Sequence, residues 1–189
     1  MKTKLLLVLG PTGVGKSTVM QELSAIDSRF SYIMPFTTRA KRLGETNKIS
    51  LPVKEFERLR RDNRFVAVNQ LYGFYYGTPA DPILQAFRDE RFPMIDWPVQ
   101  KVHTMDLRFP GKTYKVYLEP PSFEVLMERM SSDGNRTTRE DAAKEEYANL
   151  LRGAFDGLFD LRLVNIQGRM RESAIRIYEG YISSIRTTA

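Results

Sequence analysis

Apolar residues fall along this chain in short blocks, and the period inside the blocks changes from one to the next. Residues 4–9 are almost wholly apolar, the signature of a parallel strand buried on both faces. Residues 16–23 carry apolar positions at 19, 20 and 23, which predicts a helix. Residues 30–34 predict a second strand. Residues 35–45 are basic and hydroxyl-rich without periodicity, and predict a loop. A short helix follows over 54–61, with Phe56 and Leu59 three apart, then a strand over 65–68. Residues 72–79 are aromatic and punctuated by glycine, and also predict a loop.

The alternation then resumes. A helix is expected over 81–89, with Asp81 as its N-cap and Pro82 at the first helical position. A strand over 92–96 ends in the carboxylate of Asp96. Pro98 introduces a helix over 99–107, and 113–118 predict another strand. Phe123, Leu126, Met127 and Met130 share one face of a helix over 121–130. Residues 131–139 are polar. A long helix over 140–155 has its apolar face at 143, 147, 150, 151 and 154. A strand over 161–164 and a helix over 170–185 close the chain. Alternating strands and helices predict an α/β fold, a parallel sheet with helices on both faces. Residues 35–80 interrupt it as a small insertion with short strands of its own.

Composition narrows the class. The 189 residues are 42% apolar, enough for one good core. No apolar run approaches the ~20 residues of a membrane span, so no membrane partner is expected and the cytoplasm is the expected compartment. The chain has no cysteine, which excludes disulfide and thiolate chemistry. The net charge of +6 is spread over several clusters, including residues 39–42 and 58–64, rather than gathered in one tail. That pattern favours a site that neutralises two phosphorylated small molecules over nucleic-acid binding.

The strand over 4–9 runs into Gly10-Pro11-Thr12-Gly13-Val14-Gly15-Lys16-Ser17, which matches G-x-x-x-x-G-K-[ST] at every fixed position. Glycines let backbone N–H groups turn inward around phosphate oxygens, and the following helix adds its positive end. Lys16 would reach the β- and γ-phosphates of a nucleoside triphosphate, and Ser17 would hold Mg2+. Gly10, Thr12, Gly13, Gly15, Lys16, Ser17 and Thr18 are the expected triphosphate-binding set.

Other candidates are more ambiguous. Arg39 and Arg42, beside Thr37 and Thr38, are either a forked clamp for an acceptor phosphate or a solvated basic loop. Tyr75 and Tyr76 either meet a ligand or pack as an ordinary aromatic turn. Asp96 sits where a parallel sheet faces its ligand crevice. It could hold magnesium through water, accept bonds from a base, or cap a helix. Arg129, Arg136 and Arg139 flank the polar segment and could be brought onto a transferring phosphoryl group. His103 has no expected role.

Taken in order, these segments resemble the guanylate kinases. The phosphate loop matches. Residues 37–45, TTRAKRLGE, resemble the family's T-T-R-x-x-R-x-G-E, and residues 72–79, YGFYYGTP, its H-G-N-Y-Y-G-T-P. Residues 95–100 are similar to its strand-end L-[ED]-I-D-V-Q. Residues 118–122 resemble the entry to its lid helix, and residues 159–165 its Y-D-Y-V-V-V-N. The resemblance implies a core over 1–34, 81–128 and 146–189, a nucleoside-monophosphate lobe over 35–80 and a lid over 129–145. It implies transfer from ATP to a nucleoside monophosphate, GMP or dGMP first. Arg39, Arg42 and Tyr76 would grip the acceptor phosphate, and Thr78 and Asp96 would face its base. Arg129 would lie over the triphosphate and Asn165 near the adenine.

There are departures. Pro35 stands at the guanine-reading serine and Ala67 at the guanine-reading glutamate. The second phosphate-binding tyrosine falls near Leu51. Asp133-Gly134-Asn135 replace the lid's R-G-T, Lys144 its later arginine, and Pro98 the second strand-end aspartate. A kinase for another phosphorylated acceptor, such as ribose 1,5-bisphosphate, and a non-catalytic binding module are the alternatives.

Overall fold

Every residue of β1 (Leu5–Leu9) is buried, because its two faces pack against different helix layers. In this computed structural model, which describes residues 3–41, 46–71, 73–131 and 137–186, Leu6 and Val8 point into one core and Leu5, Leu7 and Leu9 into the other. Strand alternation makes that division. The first core is completed by α1 (Lys16–Ile26) and α7 (Met170–Arg186), through Val19, Leu23, Ile177 and Tyr181. The second holds Ile83 of α3 (Ala80–Arg88), Met105 of α4 (Val102–Arg108) and Leu150 of α6 (Thr137–Leu151).

The main sheet is wholly parallel. Its order is β2 (Phe30–Tyr32), β7 (Phe92–Asp96), β1, β8 (Thr113–Glu119), β9 (Leu161–Val164). The α/β architecture predicted by the alternation is therefore present. A second, four-stranded sheet lies within residues 36–79. It contains β3 (Phe36–Thr37), β4 (Ile49–Ser50), β5 (Phe65–Leu71) and β6 (Phe74–Pro79), in the order β4-β3-β6-β5. The helix α2 (Val53–Arg61) packs on it through Phe56, stacked on Phe65 and Tyr75. The α5 helix (Phe123–Ser131) follows β8.

Several local expectations are corrected. Residues 74–79 form a strand rather than a loop, paired antiparallel with β5 from Phe65↔Pro79 to Leu71↔Phe74. Cross-strand pairing with β5 holds these residues extended despite the glycine punctuation. Asp81 does not cap α3. The helix begins at Ala80, and the Asp81 carboxylate pairs with Arg64 instead. The helix expected over 99–107 opens with a single 3-10 turn, Val99–Lys101, before α4. The helix expected from residue 140 starts at Thr137, and Leu151 is 72% exposed rather than on its apolar face.

Candidate active site

The phosphate loop joins β1 to α1, and its conformation is fixed by close neighbours. Gly10, Gly13 and Gly15 have φ of 127°, 84° and 100°. Side chains rarely tolerate such values. A Cβ on Gly10 would lie 2.4 Å from the Leu118 carbonyl oxygen, and one on Gly15 2.7 Å from Asn165 Nδ2. The loop therefore has no room for anything but glycine at these points. Lys16 folds back over it, donating to the carbonyls of Gly10 at 2.6 Å and Pro11 at 3.0 Å, with its ammonium 3.8 Å from Asp96 Oδ1. Ser17 is exposed at the start of α1, and Thr12 is exposed on the loop.

Asn165 follows β9 and is 1% exposed. Its amide donates to the Val14 carbonyl at 2.8 Å and accepts from Ser173 Oγ at 2.9 Å. Both bonds brace the loop against α7. The Arg129 guanidinium lies over the same point, 3.4 Å from the Asn165 carbonyl and 3.5 Å from that of Val14. Together with Gly13, Thr18, Gln167 and Met170, these residues line a cavity of about 420 Å3.

A larger cavity of about 590 Å3 runs from the loop to the small sheet. Lys16, Ser17 and Asp96 line it on the core side, and Arg39, Tyr76 and Thr78 on the sheet side. The structure thus brings together residues the sequence separates by up to 80 positions. The threonines beside Arg39 shape the backbone. Thr37 Oγ1 accepts from the Arg39 N–H at 3.1 Å, and Thr38 Oγ1 from the Tyr75 N–H at 3.0 Å. Tyr75, in β6, stacks on Phe56 under Arg60, and Tyr76 faces the cavity. Pro35 lines the cavity too, whereas Ala67, paired with Thr78, packs against the core. Arg42 and Arg136 lie outside the described residues. Arg139 lies in α6, with its side chain outside them. His103 is exposed on α4.

Two features escape the sequence. Glu146 of α6 is 9% exposed and lines the larger cavity. It accepts from the Tyr117 hydroxyl at 3.0 Å and from Gln100 Nε2 at 3.5 Å. Burial pushes its carboxyl above the ordinary value, and the Lys16 ammonium partly offsets this. The same burial raises the Tyr117 phenol. The second is Asn69 of β5, 8% exposed, which accepts from Lys101 Nζ at 2.6 Å. The one signal that could have found Glu146 is its spacing, three after Ala143 and four before Leu150 on α6. The Asn69–Lys101 pair left no local signal.

A phosphate-loop motif sharing a cavity with a second side that carries Arg39 is the layout a phosphoryl-transfer enzyme needs. The guanylate kinase family model matches residues 2–168. The chain belongs to the guanylate kinase family. It is 37% identical over 152 residues to the guanylate kinase of Bacillus subtilis strain 168, covering 75% of this chain and 74% of that protein. It is 30% identical over 156 residues to that of Carboxydothermus hydrogenoformans, covering 78% and 76%. The crystal structure of guanylate kinase from Anaplasma phagocytophilum superposes with a TM-score of 0.73, at 20% identity over 96% of this chain and 85% of that one, and shows the shared fold. A shikimate kinase from Acinetobacter baumannii shares the fold more distantly, with a TM-score of 0.51. This family member is a nucleoside monophosphate kinase. Among its described residues no helix is long and apolar enough to cross a membrane.

Proposed function

We propose that this kinase transfers the γ-phosphoryl group of ATP to GMP or dGMP, giving ADP and GDP or dGDP. The observation that carries this reading is the single cavity lined by Lys16 and Asp96 on one side and by Arg39, Tyr76 and Thr78 on the other. It would set a donor phosphate and an acceptor phosphate face to face.

The donor-side residues fit a magnesium–triphosphate group. The glycine cradle is one that any Cβ would fill, the Lys16 ammonium points at the loop's mouth, and an exposed hydroxyl and an exposed carboxylate stand beside it. Ser17, with Asp96 through water, would hold the magnesium ion, which supplies charge neutralisation on the β- and γ-phosphates. Lys16 would exchange its bonds to the Gly10 and Pro11 carbonyls for phosphate oxygens. Gly10, Thr12, Gly13, Gly15 and Thr18 would cradle the remaining phosphates. Arg129 would lie beside the donor nucleotide, with Asn165 holding the loop in shape beneath it. Arg39, Arg42 and Tyr76 would orient the acceptor phosphate. Arg136 and Arg139 would add positive charge at the transfer point. No covalent nucleophile is needed, because positioning and charge are what such a transfer requires.

The test is a coupled assay of ATP consumption with magnesium, run across GMP, dGMP, AMP, CMP, UMP and ribose 1,5-bisphosphate, with Lys16→Ala as the blank. GMP and dGMP should give the highest turnover. A higher rate with ribose 1,5-bisphosphate would overturn the acceptor assignment while leaving the phosphate sites in place. Silence with every acceptor would overturn the enzymatic reading.

A further inference from the structure

The small sheet has two unlike faces, and strand register sorts its residues between them. Thr37 pairs with Ser50 on one side and with Tyr76 on the other, and Tyr76 pairs with Asn69. Partners in a ladder share a face, and successive residues of a strand alternate between faces. Phe36, Phe65 and Tyr75 belong to one face, where Phe56 of α2 stacks on Phe65 and Tyr75. The opposite face lines the larger cavity through Asn69, Tyr76 and Thr78.

The same alternation puts Pro35 and Lys48, two residues before Thr37 and Ser50, on the cavity face, and both line the cavity. Lys48 is half-buried there, with its ammonium 3.4 Å from Oδ1 of Asn47, another lining residue. Leu51, where the resemblance set the family's second phosphate tyrosine, is not part of that lining. The carboxylates among the described lining residues, Asp96 and Glu146, stand on β7 and α6. The sheet side carries cations, amides and hydroxyls instead, in Arg39, Lys48, Asn47, Asn69, Tyr76 and Thr78. That is a surface for an anion.

We propose that Lys48 is a binding residue for the phosphate of the acceptor, sharing it with Arg39 and Tyr76. The proposal rests on the acceptor reading given above. Neighbouring strands lie about 4.8 Å apart, so β4 and β6, with β3 between them, set the backbones of Lys48 and Tyr76 roughly 10 Å apart. Two long side chains converging across that span can close on one phosphate, and Arg39 follows β3, the strand between them. A tyrosine in this place would offer one neutral hydroxyl. An ammonium offers three donors and a full charge. Its bond to a phosphate is charge-assisted, hence stronger than a neutral one and weakened by salt. It is also indifferent to the base. Lys48 therefore contributes equally to every nucleoside monophosphate, and the choice among bases is made elsewhere in the cavity.

The experiment is GMP binding to the full chain without ATP, for the wild type, Lys48→Met and Lys48→Arg. It is followed by the fluorescence of Trp97, the single tryptophan of the chain and a lining residue of the cavity. Lys48→Met should raise Kd for GMP about 10-fold, and Lys48→Arg should restore it to within about threefold of the wild type. Added salt, from about 50 to about 500 mM, should weaken binding to the wild type more than binding to Lys48→Met. In steady-state kinetics with ATP and magnesium, Lys48→Met should raise KM for GMP by the same factor and leave KM for ATP and the order of preference among GMP, AMP, CMP and UMP unchanged. If Lys48→Met does not fold, by its thermal transition, Lys48→Gln takes its place. GMP binding to the neutral variant within about twofold of the wild type would overturn the proposal. So would a loss that Lys48→Arg does not restore, which would make the side chain a packing element, or a changed order among the bases. A wild type that neither binds nor phosphorylates GMP would defeat the underlying acceptor reading instead.

Discussion

The proposed donor and acceptor sides of the cavity are held by different means. On the donor side the backbone would be the ligand. Gly10 and Gly15 are pinned by the Leu118 carbonyl and the Asn165 amide, and no other residue type fits. On the acceptor side the ligands would be side chains on a small separate sheet, where Ala67 in β5 and Pro35 just before β3 stand at the family's polar positions and the strand pairing is intact. A site made of backbone resists divergence, because any side chain breaks the fold locally. A site made of side chains can change its reading one residue at a time.

The sharpest test of this contrast is at its shared cation. Lys16→Ala should lower turnover about 1,000-fold while the thermal transition moves little, since the lysine lines the cavity and water can replace it on the Gly10 and Pro11 carbonyls. Turnover within tenfold of the wild type would mean that the loop's amides alone carry the donor phosphates. On the acceptor side, Arg39→Ala should lower kcat/KM for the acceptor about 100-fold and leave KM for ATP unchanged. A matching rise in KM for ATP would show that the two sides are not separable in this way.

A smaller effect on stability is expected where the loop is braced. Asn165→Ala leaves the Val14 carbonyl and the Ser173 hydroxyl without their partner in a buried place. Chemical denaturation should show a loss of about 2 kcal/mol. KM for ATP should rise with it, because the freed loop can leave its cradle shape. A destabilised variant with unchanged KM would assign Asn165 to the fold alone.

The donor side was legible in the sequence for the same reason that it is rigid. Its residues are contiguous, and the apolar run of β1 announces burial on both faces. The acceptor side was legible only where short motifs survive, at Arg39, Tyr76 and Thr78. The hairpin of β5 and β6 escaped because cross-strand pairing, not local propensity, makes residues 74–79 extended. Asp81 looked like a cap until Arg64, 17 residues earlier, took its carboxylate. Asn69 and Lys101 are 32 residues apart, and nothing local marks either as polar lining. Glu146 sits in a charged run, Lys144-Glu145-Glu146, that reads as solvated surface.

The smallest expected effect concerns that glutamate, and it separates positioning from charge. Burial holds the Glu146 carboxyl above its ordinary value of 4.5 in the folded chain. A raised acid binds its proton more tightly folded than unfolded. Its contribution to stability is therefore complete below the unfolded value and is lost as pH rises through the folded one. Glu146→Gln keeps an oxygen to accept from the Tyr117 hydroxyl and removes the buried charge. Above the folded value the variant should be as stable as the wild type or more so, by about 1 kcal/mol. That difference should shrink as pH falls towards 4.5, where the wild type is protonated as well. Urea midpoints at several pH values would show the convergence. A variant less stable than the wild type at neutral pH would mean that the attraction of Lys16 outweighs the burial. Glu146 would then belong, with Asp96, to the charge balance around the donor phosphates rather than to the packing of α6.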